Sequence, residues 1–178
     1  MGRFAVRTAI EMDTIDSVVV ADLNASVAQA FASSLGPKAE GLGLDVTQEE
    51  ALRKAMQDAD VVINTVGPFF KFGPPVLRMA IECGCHYLDI CDDWEPTVDM
   101  LELDAQAREA EVTAVLGLGA SPGLSNLLAL VSMRELDSVS EVYTGWNING
   151  ATPEAESSQG GVNAAMEHAI LQMTGTVR

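Results

Sequence analysis

A doubly wound α/β fold is what the sequence predicts, on three observations. Short apolar runs of Val, Ile and Leu recur without polar alternation, the pattern of strands covered on both sheet faces. Helical stretches of roughly 10 to 15 residues separate them, as parallel βαβ units require. Glycine, proline and capping residues punctuate the joins.

In chain order, Arg3 to Met12 reads as a helix and Val18 to Asp22 as a strand that stops at a carboxylate. Asn24 or Ser26 caps a helix reaching Leu35, which Gly36-Pro37 ends. Gly41 to Asp45 is a weak strand. Thr47 follows as N-cap, with Glu50 at the capping-box spacing, and opens a helix to Met56. The stretch Val61 to Phe70 is the next strand, apolar at its start and running into a Gly67-Pro68 turn. Pro74 or Pro75 suits the first turn of a helix that runs to Glu82 and closes at Gly84. A strand at His86 to Ile90, a helix from Pro96 to Ala110 and a strand at Val112 to Leu116 complete the alternation.

Past Gly117 the pattern changes. An apolar helix from Leu127 to Leu136 precedes an alternating, antiparallel-type strand at Val139 to Ile148, a polar loop at Asn149 to Gly161 and a helix at Val162 to Met173. The expected division is therefore 1–120 as a Rossmann-type unit and 121–178 as the start of a second, catalytic α/β domain.

The chain has 178 residues, 48% hydrophobic and 20% charged, which suffices for one domain with a core. Its 10 Lys and Arg face 26 Asp and Glu, a net charge of −16 that repels a phosphate backbone, so nucleic acid is not an expected partner. So strong an acidic excess suits either ordinary solubility or a high-salt setting. No run nears the roughly 18 to 20 apolar residues of a membrane span, so a cytoplasmic location is expected. Cys83, Cys85 and Cys91 read as thiols, and the Cys83-Gly84-Cys85 spacing is not that of a zinc site, so no metal is expected.

A nucleotide-binding βαβ unit carries an acidic residue about 20 positions beyond its glycine turn, to bond the ribose hydroxyls. Gly2 and Asp22 stand 20 residues apart with a helix and a strand between them. The expectation is a chain that begins inside the glycine loop, with Gly2 as its last glycine and the first strand absent; a helix simply opening the domain is the alternative. Asp22 suits a ribose, or equally a cap on the next helix. Leu23, Asn24, Ala25 and Ser26 offer no cation for a 2′-phosphate, which favours NAD over NADP. Asp45 and Val46 suit the adenine flank or a plain helix start. Asn64, Thr65 and Gly67 rim a strand-end turn of the kind that binds ligands in open α/β sheets.

Asp22, Asp45-Val46-Thr47, Asn64-Thr65-Val66-Gly67-Pro68-Phe69, His86-Tyr87-Leu88-Asp89 and Pro122-Gly123-Leu124-Ser125-Asn126, in this order, resemble the saccharopine dehydrogenase family. The resemblance implies an amino-terminal Rossmann domain, a nicotinamide cofactor, and oxidation or reduction of a C–N bond in an amino-acid or polyamine substrate. It places Asn64, Thr65, Val66, Gly67 and Pro68 against the nicotinamide and its ribose. Small polar side chains and exposed backbone there suit close approach of a flat ring.

Asp89, Asp92 and Trp94, with Asp93 and Glu95 nearby, are the catalytic candidates; their carboxylates suit a substrate ammonium or proton transfer, or a merely solvated acidic loop. Pro122, Gly123, Ser125 and Asn126 stand at a helix amino terminus that suits a substrate carboxylate or a plain cap. Two competitors lack their motifs. The Tyr-x-x-x-Lys of short-chain dehydrogenases is absent, since Cys91 follows Tyr87 and Asn147 follows Tyr143 at that spacing, and no Gly-x-Ser-x-Gly elbow of serine hydrolases occurs. The expected chemistry is hydride transfer to or from a C–N carbon. The alternative is an inactive truncated fragment serving as a binding or dimerisation module, and a homodimer is one assembly left open.

Overall fold

The structure, a computed structural model, describes residues 1–145. Seven helices and five strands alternate among them: α1 (Gly2–Glu11), β1 (Val18–Asp22), α2 (Ala25–Ser33), β2 (Ala39–Gly43), α3 (Glu49–Met56), β3 (Val61–Asn64), α4 (Phe69–Cys83), β4 (His86–Asp89), α5 (Trp94–Leu101), α6 (Asp104–Glu109), β5 (Ala114–Val115) and α7 (Leu124–Arg134).

All strand pairs are parallel, and they fall into two sheets, β1-β2 and β3-β4-β5. Val18 pairs with Ala39 and Asp22 with Gly43; in the second sheet Val61 pairs with His86 and Asn64 with Asp89. The division between β1 and β3 falls where the strand order of a doubly wound sheet puts its first strand. The fold class is the α/β one that the apolar runs foretell. In-register pairing also aligns the strand ends, so Asp22 and Gly43 share one edge and Asn64 and Asp89 another.

The core lies under the second sheet. Leu77, Ala80, Cys85, Tyr87, Cys91 and Met100 are almost wholly buried, and α4 packs on β3, β4, α3 and α5. Beside the first sheet, α2 lies on β1 and β2 and buries Ala28, Phe31 and Ala32. Gly41 permits this contact, because a Cβ there would stand 2.4 Å from Gln29 Cα and N.

Several element boundaries differ from the sequence expectation, each for a local reason. Thr47 does not cap α3, whose N-cap is Gln48 without a side-chain bond. The Thr47 amide and hydroxyl both donate to Asp45 Oδ1 instead (2.9 and 2.7 Å), and such local bonds compete with capping. The helix expected to start at Pro74 or Pro75 starts at Phe69, and both prolines lie inside it. Lys71 and Phe72 amides donate to the Pro68 carbonyl, and burial of Phe69 holds that first turn.

Gly84 does end α4, at φ 74°. The helix expected over Pro96 to Ala110 is two, α5 and α6, broken at Glu102 and Leu103. The strand expected from Val139 is not present over 139–145; its remainder, the loop at Asn149 to Gly161 and the helix at Val162 to Met173 lie outside the described residues.

Candidate functional site

The carboxyl edge of the strands gathers most of the residues singled out in the sequence. β1 ends at Asp22, β3 at Asn64 and β4 at Asp89, and the loops after them lead into α2, α4 and α5. Helix α1 leads into β1, so its amino terminus lies at this same edge. Its seating there is close: a Cβ on Gly2 would fall 2.8 Å from Thr65 Oγ1. The amino termini of α1 and α4 thus converge on the Thr65 turn, where unpaired N–H groups and helix dipoles favour an anion.

Asn64 organises that turn. It is only 3% exposed, and both ends of its amide are engaged. Nδ2 donates to the Tyr87 hydroxyl (3.0 Å), and Oδ1 accepts the Val66 amide (2.9 Å). Asn64 therefore shapes the crevice from beneath, while Val66 is exposed and Gly67 has nothing within 4 Å of where a Cβ would stand. The Gly67–Pro68 peptide is cis. Open backbone at Val66 and Gly67 is a surface on which a flat ring fits.

Asp89 lies one step further into the protein. It is 1% exposed; Oδ1 accepts the Cys91 amide (3.0 Å) and the Gly117 amide (2.7 Å), and its carbonyl accepts the Leu118 amide (2.7 Å). Oδ2 is buried without a hydrogen-bond partner. Burial pushes the Tyr87 phenol well above its ordinary range, and the Asp89 charge beside it adds to the effect. Asp89 thus ties the end of β4 to the 117–123 loop, with its carboxylate turned to backbone. Asp92 and Trp94 are exposed at the rim, Trp94 at 73%.

The 117–123 loop closes tightly on itself. Gly117 (φ 67°) and Gly123 (φ 110°) both take backbone that favours glycine, and a Cβ on Gly123 would lie 2.4 Å from the Gly119 oxygen. Leu124 and Ser125 amides donate back to Gly119 and Ala120 carbonyls, so α7 begins there. Ser125 is buried, its hydroxyl directed to Asn126 Oδ1 (3.0 Å) and Ser121 Oγ (3.3 Å), whereas Asn126 is exposed. Pro122 is half-buried after a second cis peptide.

At the end of β1, Asp22 is exposed and its Oδ1 accepts the Asn24 amide (2.8 Å), while Asn24 caps α2 through the Ser26 and Val27 amides. Asp45 is held below the usual carboxylate range by the Thr47 hydroxyl and amide, and Val46 beside it is half-buried. Tyr87, which holds Asn64, is a residue that the motifs did not single out for a role. The signal for Tyr87 was its place two positions before Asp89 on one strand, hence on the same face. Among the described residues no group of three or more His, Cys, Asp or Glu side chains is placed to hold a metal. Likewise none of their helices is long and apolar enough to cross a membrane.

Residues 1–115 match the saccharopine dehydrogenase NADP binding domain. The chain belongs to the saccharopine dehydrogenase family. It is 32% identical over 120 residues to saccharopine dehydrogenase [NADP(+), L-glutamate-forming] of Saccharomyces cerevisiae, which takes in 67% of this chain and 25% of that protein. The Schizosaccharomyces pombe protein of the same name is 28% identical over 121 residues, 68% of this chain and 26% of the relative. A solved structure of apo saccharopine dehydrogenase (L-Glu forming) from S. cerevisiae superposes with a TM-score of 0.65 at 30% identity, covering 75% of this chain and 28% of that one. The chain spans about a quarter of the length of these relatives.

One expectation is overturned by the match. The preference for NAD over NADP rested on the absence of a cation at 23–26, yet the matching domain is described as NADP-binding and both yeast relatives are named for NADP(+). Asp22 is also occupied in holding its own turn, and neighbours in sequence are not the only residues near it in space.

Proposed function

We propose that this chain forms the cofactor-binding part of an oxidoreductase of the saccharopine dehydrogenase type, which takes NADP(H) and acts at a C–N bond of an amino-acid-derived substrate. The observation that carries this reading is the Asn64 turn: a buried amide clamp that leaves the Val66-Gly67 backbone open, directly opposite the amino terminus of α1. Small, uncluttered backbone beside a helix dipole suits a flat ring at one end and a pyrophosphate at the other.

In this reading Gly2 and Thr65 hold the pyrophosphate side, Asp22 and the Asp45-Val46 loop the adenosine side, and Val66, Gly67 and Pro68 the nicotinamide side. Asn64 positions the turn from below. Hydride chemistry is what the cofactor supplies when bound. The protein orients the two carbons and excludes water, with the α7 amino terminus at Pro122, Gly123 and Asn126 turned to a substrate carboxylate and Asp92 and Trp94 at the mouth. Buried Asp89 and Ser125 fix the backbone that presents these groups.

Titration of the chain with NADPH, followed by nicotinamide fluorescence, tests the reading: saturable binding is expected, tighter than for NADH. A folded chain that binds neither cofactor supports a second reading, a non-catalytic binding or dimerisation module. The observation favouring it is the two-part sheet, whose facing strands leave Val19, Val61 and Ile63 more than 40% exposed.

A further inference from the structure

We propose that Tyr87 is a positioning residue that couples the two sides of the site. Its hydroxyl, held by Asn64, donates its own hydrogen bond to Asp89 Oδ2, and this joins the Val66-Gly67 turn and the 117–123 loop into one hydrogen-bonded unit. The inference rests on the cofactor-binding reading above and adds to it a physical link from the nicotinamide side to the substrate side.

Strand register brings the three side chains together. Asn64 pairs with Asp89 across parallel β3 and β4, and Tyr87 stands two residues before Asp89, so all three share one face of the sheet. All are almost wholly buried, where a polar atom has to find its partner inside the protein. Asn64 sets the direction of the bonds. Its Oδ1 takes the Val66 amide, so the group that faces Tyr87 is the Nδ2 donor and the phenol oxygen accepts. The phenol proton is then left to give. Asp89 Oδ1 is already engaged by the Cys91 and Gly117 amides, whereas Oδ2 is buried with no hydrogen-bond partner among the described residues. A buried hydroxyl proton and a buried carboxylate oxygen each relieve the desolvation of the other.

Burial, and then the nearby Asp89 charge, hold the phenol above its ordinary range, so the proton stays on the tyrosine oxygen and is there to be donated. Beyond Asp89 the line of contacts runs on. Gly117 donates to Oδ1 at 2.7 Å and lies against Pro122, whose Cγ a Cβ on that glycine would meet at 2.8 Å. The line thus starts at the Val66 amide and ends at the amino terminus of α7. A ring that presses on Val66 and Gly67 bears on the substrate loop through it, because hydrogen bonds in a dry interior reinforce one another. The rival route is through the backbone, where the Leu118 amide donates to the Asp89 carbonyl. Mutation separates the two, since the backbone route does not need the phenol.

The test follows the backbone amide resonances of the full chain during titration with NADPH. In the unaltered chain, saturation should shift Val66, Gly117 and Leu118 together. Tyr87→Phe keeps the ring and deletes the hydroxyl; Asp89→Asn keeps Oδ1 for the Gly117 amide and replaces the Oδ2 acceptor with a donor. In each, Val66 should still shift, while Gly117 and Leu118 move less than roughly half as far as in the unaltered chain. Thermal unfolding confirms that each variant is folded. A further measurement needs no variant: a hydroxyl proton locked between Asn64 and Asp89 exchanges slowly with water, so the Tyr87 hydroxyl should give its own resonance in the unaltered chain. Absence of that resonance overturns the proposal. So does full transmission to Gly117 and Leu118 in either folded variant, which assigns the coupling to the backbone route. Unshifted Gly117 and Leu118 in an unaltered chain that binds NADPH overturn it as well, and all three results leave the cofactor reading intact. No NADPH binding by the unaltered chain, read from nicotinamide fluorescence, overturns both together.

Discussion

Asn64 engages both ends of its amide inside the protein, on a phenol and a backbone amide, so its effect on a ligand is exerted through the shape of the turn. Asn64→Ala leaves the buried Tyr87 hydroxyl without its partner and the part-buried Val66 amide short of one, which costs about 1–3 kcal/mol. Tyr87→Phe removes one of the same bonds, so the double variant should cost less than the sum of the two; urea unfolding of the four proteins measures the coupling. Additive losses would show that the bond carries no weight. Gly67 provides the contrasting case, for a Cβ there meets nothing of the protein. Gly67→Ala should leave the urea midpoint unchanged yet weaken NADPH binding several-fold, because the methyl enters the space assigned to the ring. The sequence showed that Asn64 ends a strand, but both faces of Val61-Val62-Ile63 are apolar, so it did not show that Asn64 faces inward. Asp89 was hidden for the same reason: a carboxylate at a strand end reads as accessible until the loop that folds over it, here Gly117 to Gly123, is in place.

At the scale of the elements, strands and helices were legible wherever one period dominated, and boundaries failed where a local hydrogen bond or tertiary burial prevailed. Asp45 captured Thr47 and so displaced the cap of α3. Phe69 drew the start of α4 five residues ahead of the first proline, because its burial near Gly73 and Met100 outweighs the propensity of that stretch. Gly41 is a different kind of signal, since a glycine inside a strand marks a close backbone approach. Here the approach is that of α2, with Gln29 backbone atoms 2.4 Å from the missing Cβ. Gly41→Ala must push a whole helix outward, so it should destabilise by about 1–3 kcal/mol. A matched Gly36→Ala variant is no control, as Gly36 has φ 95°, whereas Glu40→Ala on the same strand is exposed and should stay within about 0.5 kcal/mol. Equal urea midpoints for Gly41→Ala and Glu40→Ala would refute the close-packing account.

The whole molecule combines a strongly acidic surface with a core that buries three weak acids, and the two respond differently to alkali. Burial raises the Cys85 and Cys91 thiols above their ordinary range, and burial and then Asp89 raise the Tyr87 phenol. In the unfolded chain the thiols lose protons from about pH 8.5 and the phenol from about pH 10, whereas the folded chain retains them. Above those values the unfolded state binds fewer protons than the native one, so stability is complete below them and falls as pH rises, by about 1.4 kcal/mol per pH unit for each group. Repulsion within a chain of net charge −16 also grows with pH, but salt screens charges at the surface and leaves buried ones nearly untouched. Urea midpoints measured from pH 8 to 11, at 0.1 M and 1 M NaCl, separate the two causes. The decline should persist at 1 M, begin near pH 8.5 and steepen near pH 10, with the steepening absent in Tyr87→Phe and the earlier limb reduced in Cys85→Ala. A decline abolished by salt would assign alkaline sensitivity to the surface and leave the buried acids without a part in it.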